Sequence, residues 1–304
     1  MGRILLQSPG PHLGSPEQTR QIMWLVVLSL LPASLAGVYF FGFGALVVLA
    51  TSVAAAVVTE YLWIKYVRGK EVRADGSAVV TGLLLGLTLP PGISPLYAFI
   101  GAVVAIILGK QVYGGLGSNP FNPALVGRTF LLISFPVVMT TWQAPWDATT
   151  TATPLSLLAT GGPLPSWGQL FWGNVGGSLG ETSVLALALG GLYLIYKGYI
   201  DWRIPTGVLG SAALFSLALG IPVTTTLFSG GLVLGAFFMA TDYVTSPVTP
   251  AGRWLFAIGI GLITMVIRQF GGYPEGVSFA ILLMNAAVPL LEKLTWPKAM
   301  GAVQ

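Results

Sequence analysis

The segment DATTTATPLSLL, residues 147–158, sets four threonine hydroxyls between an aspartate and a short Pro-Leu run. A threonine hydroxyl becomes a nucleophile only beside an activating base. The single histidine is His12 and there is no cysteine, so a hydroxyl–imidazole triad, thiol catalysis, disulfides and thiolate iron–sulfur ligation are all excluded. Three uses remain for these hydroxyls. Asp147 and the threonines can cap or turn the backbone ahead of a short helix; a Thr/Pro tract can accept sugar; or one hydroxyl can be a covalent attachment point. Without an imidazole cluster for zinc or haem, any redox group must be organic or lie on other subunits.

A second constellation is SNPFNP, residues 118–123. Asn122 suits a helix N-cap and Pro123 the first helical position, where no amide hydrogen is needed. Asn119 stands three residues earlier, so two carboxamides meet at one helix start, as caps or as contacts for a ligand. Arg128 falls inside the apolar run that follows; in lipid it must face protein, a carboxylate or a bound group, or snorkel to the interface. Glu60, Asp75 and Asp242 stand at the ends of apolar runs, where they are end charges or contributors to a cation path. GLLLG at 82–86 has no GKS and no second glycine pair after it, so it belongs to helix packing and not to phosphate binding.

These residues need a frame. Apolar residues make up 54% of the 304 positions and charged residues 8%, with mean hydropathy +0.81. No water-soluble surface can be built from that, and the long continuous apolar runs fit helices and not barrel strands. The expected fold is an all-α polytopic membrane protein with about ten transmembrane segments, at 22–41, 43–64, 76–89, 95–112, 121–139, 182–198, 205–221, 229–241, 254–268 and 276–291. The third and eighth are too short to cross as straight helices. They hold similar places, GLLLG at 82–86 beside GLVLG at 231–235, and a similar offset lays Pro123 over Pro274. Five segments per half would make the halves inverted repeats with paired broken helices, a usual pointer to a midplane site. The organisation expected is a cytoplasmic segment 1–21, a first membrane repeat 22–139, an external loop 140–181, a second repeat 182–291 and a cytoplasmic tail 292–304.

Basic residues orient the frame. With the N-terminus inside, Arg3, Arg20, Lys65, Arg68, Lys70, Arg73, Lys110, Lys197, Arg203, Arg253, Lys293 and Lys298 all fall on cytoplasmic loops or ends, and Arg268 on the other side. They are scattered and form no nucleic-acid patch, despite the pI of 9.4. Residues 140–181 then lie outside, with Trp142, Trp146, Trp167 and Trp172 suited to an interfacial belt.

DATTTATPL resembles, in spacing and order, the flavin-attachment motif of a family of homologous membrane subunits found in the Rnf complex and in the sodium-translocating NADH:quinone oxidoreductase. Asp147, Thr150, Ala152 and Thr153 fill the motif's places, while Ala148 stands where glycine is frequent and Thr151 where glycine or methionine is usual. The blocks at 75–91, 114–136 and 176–205 also resemble the family's, so the likeness runs over nearly the whole chain, and its length is similar to the Rnf branch. The resemblance implies FMN bound to Thr153 through its phosphate, with Asp147 and Thr150 read by a flavin transferase. It also implies non-covalent riboflavin at Asn119 and Asn122; Arg128, as a charge inside an apolar run, is a further candidate flavin contact on its own physics. The expected role is electron carriage in a bacterial or archaeal cytoplasmic-membrane complex that couples ferredoxin and NAD chemistry to Na+ or H+ movement. Iron–sulfur and second flavin subunits would be its partners in the bilayer. Paired short helices in inverted halves equally describe a urea-type channel or a secondary transporter, from which only the flavin motif separates this chain.

Overall fold

A computed structural model describes residues 16–71, 75–147, 149–272 and 275–296. Arg3, His12, Arg73, Ala148, Pro274 and Lys298, with most of the two terminal segments, lie outside the described residues. Among the described residues, one isolated bridge, Gln143 to Thr150, is the whole of the β-structure. The first half comprises α1 (Pro16–Phe41), α2 (Phe43–Leu62), α3 (Ser77–Leu87), α4 (Pro95–Ile106), α5 (Pro123–Ser134) and α6 (Pro136–Met139). Single π-turns extend α2 over Trp63–Val67 and α4 over Ile107–Gln111. The long loop contributes α7 (Pro154–Thr160) and α8 (Trp167–Trp172). The second half comprises α9 (Val184–Tyr196), α10 (Arg203–Ala218), α11 (Val223–Phe228), α12 (Leu232–Leu234) with a π-turn over Gly235–Met239, α13 (Pro250–Phe270) and α14 (Val277–Thr295).

Every apolar run read from the sequence has a helix at its place. Four helices, α1, α2, α13 and α14, are each long and apolar enough to cross a bilayer. The run at 121–139 is not continuous. It breaks at Phe135, because Pro136 has no amide hydrogen to give and disfavours a helical residue before it. The eighth segment is one turn of α-helix followed by one π-turn.

The helix starts set a register between the halves that the glycine pentamers do not. Gly82 and Gly86 lie inside α3, whereas Gly231 caps α12. The counterpart of Gly231 is Gly76, the cap of α3, 155 residues earlier; both need the left-handed backbone that glycine tolerates, with φ 66° and 85°. Ser94 and Thr249, each followed by proline at a helix start, are also 155 apart, and Asn122 and Gly276 are 154 apart. Packing recurs as well: α2 lies on α4 and α4 on α5, while α10 lies on α13 and α13 on α14. The halves meet through α1 against α9 and α5 against α14.

Small residues let these backbones approach, as they do where helices pack in lipid. A Cβ on Gly190 of α9 would overlap the Ser29 carbonyl of α1, while one on Gly210 of α10 would meet nothing within 4 Å. Gly190→Val is therefore expected to lower thermal stability in detergent by about 1–3 kcal/mol through overpacking, and Gly210→Val by much less. Equal effects of the two would show that close contact between α1 and α9 does not hold the halves together.

Backbone groups freed where the short helices end are satisfied by side chains and loops, as a lipid environment demands. The Leu87 and Leu89 carbonyls beyond α3 accept the Gly180 and Leu179 amides at 2.6 and 3.1 Å. The Thr88 carbonyl accepts from the Arg128 guanidinium. In the second half the Arg268 guanidinium donates to the carbonyls of Thr226, Ser229 and Gly230 at 2.7, 2.8 and 3.1 Å. Asn122 donates to the Met239 carbonyl at 3.2 Å, and Asn285 to that of Thr245 at 2.7 Å.

The basic-residue bias predicts which way this bundle stands. In a chain without cysteine, Leu164→Cys and Lys70→Cys, both at exposed positions, are expected to react with an impermeant maleimide from opposite faces, Leu164→Cys from outside. Labelling of both from one face would overturn the orientation.

Candidate functional site

The threonine segment is held at both ends. Trp146 takes a left-handed backbone with φ 70°, uncommon for a bulky residue. Its amide donates to the Phe40 carbonyl at the end of α1 at 2.9 Å, and its ring packs edge-on against Tyr39 and Phe40. Beyond it the chain doubles back: Ala144 donates to the Thr149 carbonyl at 2.8 Å and Thr151 to that of Trp142 at 3.0 Å. Asp147, Thr149 and Thr150 are exposed on this hairpin, and Thr149 donates to the Asp147 carboxylate at 3.4 Å. Neither Asp147 nor Thr150 is among the residues that line the cleft described next.

Thr153 is different. It is 4% exposed and is the N-cap of α7, its hydroxyl accepting the Ser156 amide at 3.2 Å. Pro154 at the first helical position leaves Thr153 extended, at φ −74° and ψ 157°. The capping use of the hydroxyl is thus realised, and the same side chain lines a cleft of about 480 Å³. Its walls are Leu132 of α5, Pro136, Val137 and Met139 of α6, Trp142, and Thr151 to Thr153, with Glu275 among the lining residues.

Glu275, just before α14, is 9% exposed, and one carboxylate oxygen pairs with Arg128. The other oxygen, Oε1, is buried without a hydrogen-bond partner among the described residues. Arg128 is 4% exposed and so does not snorkel; it bridges Glu275 to the end of α3. Sequence reasoning singles out Arg128 and misses its carboxylate. A signal exists: the orientation leaves Asp147, Glu181 and Glu275 as the acids of the outer side, and an intramembrane arginine demands a partner.

Asn119 and Asn122 lie far from this cleft in the chain's packing, beside the start of α5. Both are buried. Asn122 accepts the Ala124 and Leu125 amides at 3.1 and 3.4 Å, and Asn119 donates to the Phe121 carbonyl at 3.1 Å. They line a pocket with Ser77, Lys110 and Asp242. Here too a carboxylate has a partner the sequence does not indicate. Lys65 bonds Tyr61 at 3.1 Å, while Glu60 is paired at 2.6 Å with Lys110, which is 2% exposed and also donates to Ser77 at 2.5 Å. Asp75 accepts the Ser77 amide and hydroxyl at 2.8 and 2.6 Å. Asp242, in the loop after the eighth segment, accepts from the Val244 amide and the Thr245 hydroxyl. Burial pushes its carboxyl above the usual range, more than these bonds and the Lys110 charge pull it down. Among the described residues no group of acids or histidines is arranged to hold a metal ion.

A multi-pass, all-helical membrane protein with a cleft behind a threonine hairpin is the class that the fold and site define. The chain belongs to the NQR2, RnfD, RnfE family, whose model matches residues 6–301. It is 48% identical to the D subunit of the proton-translocating ferredoxin:NAD(+) oxidoreductase complex of Clostridium ljungdahlii, over 98% of this chain and 96% of that protein. It is 49% identical to the D subunit of the Na(+)-translocating ferredoxin:NAD(+) oxidoreductase complex of Acetobacterium woodii, over 99% of this chain and 96% of the relative. The D subunit of the ion-translocating oxidoreductase complex of Stutzerimonas stutzeri is 42% identical over 92% of each chain.

Proposed function

We propose that this chain is a membrane subunit of an ion-translocating ferredoxin:NAD+ oxidoreductase complex, that it carries FMN as a phosphoester on Thr153, and that it passes electrons within the complex in step with Na+ or H+ movement. Similarity along almost the full length to the D subunits of such complexes supports the first part. The observation that carries the second is that Thr153, the one threonine in Ala-Thr-Pro-Leu context, lines a cleft of about 480 Å³, within the range that holds ligands of cofactor size. The residues there fit the group: apolar walls from Leu132, Val137, Met139 and Trp142 suit a planar ring, and Thr140 and Ser156 add hydroxyls. FMN would supply one- and two-electron carriage, and the chain its position and surroundings. Pro154 and the Ser156 amide would fix the attachment side chain. Asp147 and Thr150, facing outward, would be read by a flavin transferase. The iron–sulfur and nicotinamide chemistry would reside on partner subunits, since the chain has no cysteine.

The test is flavin fluorescence of the denatured chain after co-production with a flavin transferase, beside Thr153→Ala. A parent without fluorescence, or a fluorescent variant, would defeat the assignment.

A further inference from the structure

Residues 175–183, between α8 and α9, form no helix, yet every one of them is buried. Connecting segments normally run over the surface, and irregular backbone at membrane depth is kept only where protein encloses it or where it borders a water-filled path. This strap lies where the two short helices come together. A Cβ on Gly180 would stand 2.9 Å from Leu87 of α3 and 2.9 Å from Leu234 of α12, and one on Gly37 of α1 would stand 2.9 Å from the Leu179 carbonyl.

One turn further along the same two helices lies a pocket. Ser77, Thr81 and Leu84 of α3 line it, facing Phe237 and Phe238 of the π-turn that follows α12. Leu84 is three residues from Leu87, and Phe237 three from Leu234, so about 5 Å of helix separates the pocket from the strap. The space between the short helices holds a pocket toward one end and is stoppered by the strap at the other.

Two features make the stopper movable. Among the described residues, two backbone hydrogen bonds tie it to α3's end, from the Leu179 and Gly180 amides, while the Glu181 amide and the Thr182 hydroxyl turn back onto the strap itself. Segments with so few external bonds are the ones that open locally. Glu181, 9% exposed, lies beside Gly231 at the start of α12, and the charges of Arg128 in one half and Arg268 in the other both act on it. The strap is drawn in by both halves at once, an attraction that weakens if α5 and α13 move apart.

Resting on the reading of the complex as ion-translocating, we propose that residues 175–183 are a gate on the ion path. Seated, the strap closes the space between the short helices on the side of the threonine hairpin; it withdraws for an ion to pass, and Glu181 is its latch. The gate also touches the attachment segment, since a Cβ on Gly176 would overlap the Thr151 side chain, two residues before Thr153. Steric contact couples the strap to that hairpin.

The experiment uses the whole complex in liposomes. Gly37→Cys with Leu179→Cys would set the two Cβ atoms 3.6 Å apart, within disulfide range. Oxidising the pair is expected to lower ion uptake at least about tenfold, with recovery on reduction and no loss in either single variant. In a second measurement Ser178→Cys, at a position 1% exposed, is treated with a water-soluble maleimide. The chain has no other cysteine, so its own band reports this site alone. Labelling is expected to rise about tenfold when reduced ferredoxin and NAD+ are supplied, and to rise at rest when Glu181→Gln is added. Unchanged uptake with the disulfide formed, or labelling that ignores both turnover and Glu181→Gln, would overturn the gate. A parent complex that takes up no ion removes the translocation reading and the gate with it, whereas a parent that takes up ions and is indifferent to the lock removes the gate alone.

Discussion

Thr153→Ala is expected to abolish covalent flavin altogether, while Thr151→Ala and Ser156→Ala leave it in place. Thr151 is the control that matters most, because it lines the same cleft and stands two residues away. Removing Thr153 also removes the cap of α7, whose hydroxyl accepts the Ser156 amide; such a loss costs about 1 kcal/mol. That is too little to unfold a bundle of this size, so lost fluorescence would report lost attachment and not lost fold. Thr153→Ser keeps both the hydroxyl and the cap and is expected to retain at least part of the flavin. The burial of Thr153 adds a kinetic expectation. A transferase must reach a hydroxyl that is 4% exposed, so attachment requires α7 to open or precedes its closure. A helix of only seven residues is easily opened. Fluorescence surviving in Thr153→Ala would move the acceptor to one of the exposed hairpin threonines.

Breaking the buried ion pair from one side is expected to have the largest effect on stability. Arg128→Leu would leave the Glu275 carboxylate and the Thr88 carbonyl without their donor in a low-dielectric interior, a cost of about 3–5 kcal/mol. Arg128→Leu with Glu275→Leu removes the stranded charge as well and is expected to recover most of that loss, because apolar replacements of a buried pair are often neutral. The measurement is thermal unfolding of the purified chain in detergent for both single variants and the double. Additive losses would show that the two side chains do not act as a pair. The comparison matters because the pair joins α5 of one half to the start of α14 of the other, so it reports on how the halves are held as well as on the cleft.

The apolar runs and the helical class are legible in the sequence because each is a local property. An apolar run is long or short by itself, and Pro154 sets the extended backbone of Thr153 through the geometry of one bond. Asn122 as a cap and Pro123 behind it are legible for the same reason, and the structure has them so. The break at Pro136 is written in the sequence too, yet hydropathy averages across it. The glycine pentamers and the helix starts give different offsets between the halves, since Gly76 and Gly231, and Ser94 and Thr249, each stand 155 residues apart at helix caps.

Pairing across the fold is beyond reach of local reasoning. Arg128 and Glu275 are 147 residues apart, and Lys110 lies between Glu60 and Ser77 from two other helices. A sequence shows that an intramembrane charge requires a partner, because an isolated charge in a medium of low polarity is too costly to keep. Which carboxylate answers depends on how α5 and α14 pack, and only the tertiary structure decides that.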